Sequence, residues 1–318
     1  MSWPQGQKTN SRNTTSHSPA ACPMGLNYDD LNALDLYLFF TGNDRKLDWA
    51  HPASYSQCLW GYGSPVNSGD STPESLTACV FRNRAHLFWK SNDEGNHLYH
   101  STYSWTETWV PPVINVHPGY YVYSGYWNFG QMINPGDSSA YPPVPVVFDD
   151  QLYLFWTAND SSHRIYYSAL ADGKTWPAGA KINNIDSTPC APAVGLFGNK
   201  LYVFWKAASN KDRIYYSASG DGVSWPAGKT INNIDSTPKS PSVATFNGKL
   251  YVFWKANDTG NKIYHSSCYD GANWPAGSLI NNWDTTPEAP AACAFNNKLY
   301  VFWSGGDNYI YAAASATG

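Results

Sequence analysis

The sequence predicts an all-β chain folded as a six-bladed β-propeller of four-stranded antiparallel blades. Three observations carry that expectation. A motif of the form LYVFWK recurs at a regular step, and turn signals separate short apolar runs between the copies. The start of the chain also repeats a stretch from its second half: SWPQGQKTN at 2–10 matches SWPAGKTIN at 224–232.

The recurring segments are DLYLFF, AHLFWK, QLYLFWT, KLYVFWK (twice) and KLYVFWS. Their aromatic pairs end at Phe40, Trp89, Trp156, Trp205, Trp254 and Trp303, in steps of 49, 67, 49, 49 and 49 residues. A second Trp follows each of the first five by 20 residues, at Trp60, Trp109, Trp176, Trp225 and Trp274. Counted this way, the third repeat is 18 residues longer than its siblings between Trp109 and Ile133, the first is eight longer, and the last is two shorter. Six units then account for residues 1–318 as one propeller. The insertion, VPPVINVHPGYYVYSGYWN at about 110–128, falls in the bottom turn of the third blade.

Each unit reads as four short strands. In the fifth they are PSVATF (241–246), KLYVFWKA (249–256), KIYHSS (262–267) and SLINN (278–282). Asn-Gly at 247–248 joins the first two, and Asn-Gly or Asp-Gly between apolar strands is a strong hairpin signal. Four-stranded units of about 40–50 residues repeated radially are the mark of a propeller. The last unit supplies three strands and stops, so residues 2–10 are expected to be its fourth. Closure of that kind removes an open sheet edge, and a linear solenoid would have no reason to split one repeat between both termini.

Composition agrees. Aromatics reach 16% and charged residues only 14%, with four Glu and three Met against 25 Gly and 22 Pro. That mix favours strands and tight turns over helices. Length alone would suggest two domains or one large all-β domain. The net charge of −4 offers no basic surplus for a phosphate backbone, so no nucleic-acid partner is expected. No run of 18 apolar residues suggests membrane insertion, and MSWPQGQKTN lacks the basic-then-apolar order of a signal peptide. Six Cys occur without CxxC or metal spacing, so no metal or other cofactor is expected and free thiols are favoured over disulfides. The protein is expected to be made and kept in the cytosol unless it leaves by an unconventional route.

The repeated residues sort by face. The DGxxW turns (Asp172-Gly173 to Trp176, Asp221-Gly222 to Trp225, Asp270-Gly271 to Trp274) lie on the bottom and read as structural. On the top face the second strand ends in Trp156, Trp205-Lys206 or Trp254-Lys255. Polar loops follow, with Asn159 and Asn257. The third strand begins there with Arg164, Arg213 or Lys262. The fourth strand runs out into Asp186 and Thr188, Asp235 and Thr237, or Asp284 and Thr286, within Asn-Asn-x-Asp-Ser/Thr-Thr-Pro. Each boundary is thereby expected to gather a ring, one or two cations, a carboxylate, amides and hydroxyls. A sugar needs such a set, because its C–H face packs on a ring and its hydroxyls bond best to charged partners. Asp and Ser of the link could equally well cap a turn.

The DGxxW turn, the LYVFW-type strand, the six units and the split last blade together resemble the six-bladed fungal and bacterial propeller lectins, the fucose-binding Aleuria-type lectins among them. The resemblance implies sugar pockets between blades, each with an Arg from strand two, a Glu from strand three and an aromatic from a neighbouring blade. The corresponding positions here are Leu201 or Leu250, and Tyr167, Tyr216 or His265, so that pocket does not carry over. The DGxxW turn is also similar to the Asp-box of sialidases, with the Asp one residue nearer the Trp.

The expectation is a multivalent carbohydrate-binding protein that is not an enzyme, with glycans on glycoproteins or cell surfaces as partners. A propeller glycosidase is the alternative, although paired-carboxylate catalysis needs one asymmetric site and the third to fifth repeats are too alike to single one out. A protein-interaction scaffold is the other alternative, with the aromatic insertion as a contact for a homodimer.

Overall fold

The computed structural model describes residues 2–26, 34–55, 57–112, 119–208 and 211–315. Six antiparallel sheets follow one another along the chain. Blade one comprises Ala20–Met24, Asp35–Thr41, Leu47–Ala50 and Ser64–Pro65. Blade two comprises Leu76–Phe81, Arg84–Lys90, Leu98–Val110 and Gln131–Met132, and blade three Val144–Phe148, Gln151–Thr157, Ile165–Leu170 and Ala180–Lys181. Blade four is Ala193–Phe197, Lys200–Lys206, Ile214–Ser219 and Lys229–Thr230, and blade five Ser242–Phe246, Lys249–Lys255, Ile263–Cys268 and Ser278–Leu279. Blade six takes Ala291–Phe295, Lys298–Ser304 and Ile310–Ala314 from the end of the chain and Gln7–Lys8 from its beginning. Gln7 pairs with Ala312 and Lys8 with Tyr311, antiparallel, as the split repeat predicts.

The first strands of successive blades are neighbours all the way round, and Ala291–Phe295 of blade six meets Ala20–Met24 of blade one. They enclose the axis of a closed ring. The second strands are buried on both sides, because each blade is covered by two others. The alternation of LYVFW then has a direction. Leu201, Val203 and Trp205 pack against Tyr153 and Phe155 of blade three, whereas Tyr202 and Phe204 pack against Leu250, Val252 and Trp254 of blade five.

A second aromatic contact repeats at every boundary. The Trp of each blade's bottom turn meets edge-on the Phe of the preceding blade's second strand: Trp176 on Phe88, Trp225 on Phe155, Trp274 on Phe204 and Trp3 on Phe253, with ring centroids 5.5–5.9 Å apart. Trp60 closes the ring on Phe302 at 5.0 Å. The sixth contact is Trp127 on Phe39 at 5.9 Å.

That last pair corrects the repeat count. Trp109 does not belong to the recurring set; Trp127 takes its place, and the 18 extra residues precede the conserved-geometry turn rather than follow it. The insertion lies in blade two, not blade three. There the third strand runs on to Val110 and folds back as Tyr120–Trp127, forming a hairpin registered Tyr103 to Trp127 and Val110 to Tyr120. Residues 113–118 of the insertion lie outside the described residues.

The DGxxW turns are built as expected. The Asp221 carboxylate accepts from the Val223 and Ser224 N–H groups at 2.9 and 2.7 Å, Gly222 has φ +72°, and the Trp225 indole N–H donates to the Gly222 carbonyl at 3.2 Å. All six cysteines are free thiols.

Candidate functional site

The upper face carries the loops between second and third strands and the links from fourth strands to the next blade. Each link is a polar turn closed by its own side chains. Asn183 Oδ1 accepts from the N–H groups of Ile185 and Asp186 at 2.9 and 2.8 Å, and its amide donates to Asp186 Oδ2 at 2.8 Å. The same Asp186 oxygen accepts from the Gly228 N–H of blade four at 2.8 Å. Asp235 and Gly277, and Asp284 and Gly6, repeat this contact at 2.8 Å, and Asp70 and Gly130 at 2.7 Å. Asp137 accepts from Gly179.

These bonds change the reading of the predicted site. Asp186, Asp235 and Asp284 are buried staples between blades, with Oδ2 of each engaged by a backbone N–H and an Asn amide. Thr188, Thr237 and Thr286 are fully buried, and the Thr286 hydroxyl donates to the Ser304 carbonyl at 2.9 Å. Trp156, Trp205 and Trp254 are buried as well. Each stacks on a tyrosine of its own third strand, Tyr166, Tyr215 or Tyr264, at about 6 Å. The outer edge of each indole lies beneath the glycine of the same blade that meets the staple, where any β-carbon would overlap the ring. None of these nine side chains presents a face to solvent. The sequence pattern could not separate them from ligand-facing groups because a wall of a crevice and its lining carry the same residue types. Lys255 is buried too, and desolvation, then the charge of Lys239, draws its ammonium below the ordinary lysine value.

The remaining candidates do reach the surface. Arg164 donates to the Ile185 carbonyl, and Lys262 to the Asn282 carbonyl at 2.6 Å, so each cation lies across the link of its own blade. Arg213 begins the third strand of blade four in the same way, bridged to Ser236 as Arg164 is to Ser187. Lys206 and Asn257 come together on Asp212, at 3.1 Å each. Asn159 is exposed, and its backbone N–H donates to the Ser138 carbonyl at 3.4 Å.

Two sets of residues complete the surface and were not singled out by sequence. The variable position of Asn-Asn-x-Asp is occupied by Ile185, Ile234 and Trp283, which are 69%, 71% and 64% exposed. Large apolar groups so exposed within a polar turn are unusual, and an apolar residue among polar neighbours was the signal available. The half-buried Tyr166, Tyr215 and Tyr264 lie two residues beyond the cations, hence on the same side of the third strand. Where the variable position is Gly69, Phe129 of blade two leans over it and is 63% exposed. At the junction of blades six and one, Tyr62 is exposed beneath the Arg12 guanidinium, 4.4 Å from its centroid.

Tyr167, Tyr216 and His265 pack inside, beside Phe155, Phe204 and Phe253. Among the described residues no group of three or more His, Cys, Asp and Glu side chains could hold a metal ion.

No family model and no curated protein matches the sequence. Solved structures do share the fold. The protein AofleA of Arthrobotrys oligospora is 12% identical, with a TM-score of 0.65 over 99% of this chain and 87% of that one. The fungal lectin of Aleuria aurantia, described with a six-bladed propeller fold and a fucose recognition mode, is 12% identical, with a TM-score of 0.61 over 98% of this chain and 95% of that one. The sialidase of Trypanosoma rangeli is 14% identical, with a TM-score of 0.62; the match covers 99% of this chain but only 58% of the sialidase. The fold is the six-bladed propeller described for the Aleuria aurantia lectin.

Proposed function

We propose that the protein is a multivalent carbohydrate-binding protein without catalysis, whose sugar sites lie on the upper rim at the blade links. One observation carries this reading. An exposed apolar side chain, a cation and a tyrosine recur together on three successive blades: Ile185 with Arg164 and Tyr166, Ile234 with Arg213 and Tyr215, and Trp283 with Lys262 and Tyr264. A sugar's C–H face packs on the apolar group, and its hydroxyls take charge-assisted bonds from the cation. Such shallow sites bind weakly one at a time, and copies held on a rigid ring raise avidity by about 10²–10⁴ on a multivalent surface. The Aleuria aurantia lectin, described with a fucose recognition mode, shares this scaffold, which supports glycans as partners.

Glycan-array binding that free monosaccharide competes away is the test. Replacing Ile234 and Arg213 together by Ala should lower the number of sugars bound per chain while leaving the remaining sites unchanged. An array without binders, or a double variant with unaltered stoichiometry, overturns the assignment.

A homodimer through the blade-two hairpin is the second reading, favoured by Trp109 and Tyr121, which are 50% and 55% exposed on its two strands. Sedimentation velocity of the wild type against Trp109→Ser tests it.

A further inference from the structure

The upper mouth of the axial channel opens into a cavity of about 490 Å³ whose collar is formed by the residues just past each link. Counting four residues on from the staple, the six positions are His17, Glu74, Tyr141, Cys190, Lys239 and Glu288. All six line this cavity and all are half-buried. The contrast with their surroundings is informative. Three residues before this position the link is Ser or Thr in every blade, and four residues after it the channel wall is Ala, Val or Pro in all six. Positions kept alike serve something repeated six times. The collar differs from blade to blade yet always carries a titratable heteroatom, which suits a ligand that is present once and has no six-fold symmetry.

The charges are arranged across the mouth. Blades two and five stand opposite each other, with two blades between them on either side. Blade two contributes Glu74, whose carboxylate has no hydrogen-bond or ion-pair partner among the described residues. Blade five contributes Lys239, held by both oxygens of Glu288 at 2.9 and 2.8 Å. The buried Lys255 ammonium stands close enough to feel both partners of that pair. Glu74 on one side is thus a collar carboxylate without an ion-pair partner among the described residues, while on the other Lys239 and Lys255 lie against Glu288 and Asp258. The space between them is of the size that encloses a small molecule.

We infer that the channel mouth is a single-copy site for a small zwitterion, an amino acid or short peptide, its ammonium on Glu74 and its carboxylate on Lys239. The site is separate from the rim sites, and none of its residues belongs to them. Neither charge alone would select the ligand; both ends must be free and the span between them must match the mouth.

The experiment is isothermal titration calorimetry of the full chain with the dipeptide alanyl-leucine. The expected result is saturable binding at one site per chain. Affinity should fall about tenfold or more in Glu74→Gln and in Lys239→Gln, as loss of a charged hydrogen-bond partner implies. The N-acetylated and C-amidated dipeptides should bind wild type correspondingly weakly, a comparison that needs no variant to fold. Absence of saturable heat, a stoichiometry above one, or equal binding of the blocked peptides overturns the proposal. Glycan binding by Glu74→Gln should equal that of wild type, so failure of one reading is distinguishable from failure of the other.

Discussion

The Gly228 N–H of blade four donates to the Asp186 carboxylate of blade three at 2.8 Å, and the contact recurs around the ring. It joins two blades through one buried acceptor. At the junction of blades six and one the acceptor is Asn13 instead, whose Oδ1 receives the Gly63 N–H at 2.8 Å. The contact therefore needs an oxygen at that point more than it needs a charge.

This distinguishes two substitutions at one site. Asp235→Ala leaves the Gly277 N–H without its acceptor in a buried place, at a cost of about 1–3 kcal/mol, while the Asn232 amide keeps the Pro275 carbonyl at 3.2 Å. Asp235→Asn keeps an oxygen, as Asn13 does, and should cost less than half as much. Urea unfolding of both variants checks the order; equal losses would show that the negative charge is what matters.

Much of this was legible in sequence. The period of 49, the alternation in LYVFW and the copied N-terminal stretch define the blades, because blade packing repeats in register and leaves its spacing in the chain. The insertion was misplaced because Trp109 lies 20 residues after Trp89, at the spacing of the recurring Trp, although the edge-on contact to Phe39 is made by Trp127. At the blade boundaries the pattern could not tell Trp205, buried beneath Gly228, from Trp283, which stands in solvent, since both are tryptophans beside polar turns.

The N-terminal closure can be removed. Deleting residues 2–15 takes away the fourth strand of blade six, the Trp3 contact with Phe253 and the Asn13 staple together. Ile310–Ala314 then presents an unpaired edge, the usual template for strand addition between molecules. The shortened chain should aggregate, measured by light scattering during refolding. A monomer melting at the wild-type temperature would mean that the ring holds without its latch.

Gly277→Ala tests the packing beneath the staple. A β-carbon there would overlap the outer edge of the buried Trp254 ring, which is already stacked on Tyr264. Overpacking of this kind costs about 1–3 kcal/mol. The variant should melt below wild type, with the Trp254 environment altered in near-ultraviolet circular dichroism; an unchanged melting temperature would show that the indole can shift.

Acid should weaken the fold through three imidazoles, His86 buried and His100 and His265 half-buried. Burial draws His86 and His265 down to about 4 and His100 to about 3, from an ordinary 6.5. His86 Nδ1 and His100 Nε2 are 2.7 Å apart, so protonating both rings sets two cations side by side. Because the folded state binds these protons less readily than the unfolded chain, stability is complete above pH 6.5 and declines as pH falls towards 4 and 3. His265→Tyr, the residue that Tyr167 and Tyr216 represent in blades three and four, should flatten part of that decline. Unfolding free energies at pH 7 and pH 4.5 provide the measurement, and an equal drop in both proteins would remove His265 from the account.

Asp48 acts in the opposite sense. It replaces the tyrosine of the other third strands at the position of Tyr166, paired with Phe40 where they have Trp. Burial, then the nearby Asp44 charge, raises its carboxyl from 3.8 to about 6. The folded state thus holds this proton more tightly than the unfolded chain. The contribution is full below pH 3.8 and is lost as pH rises through 6. At neutral pH the ionised group is a half-buried charge in a place that favours a neutral one. Asp48→Asn should therefore raise the melting temperature at pH 7.5 and make no difference at pH 3.5. A gain that persists at the lower pH would trace the effect to packing or hydrogen bonding, since no charge is left there to relieve.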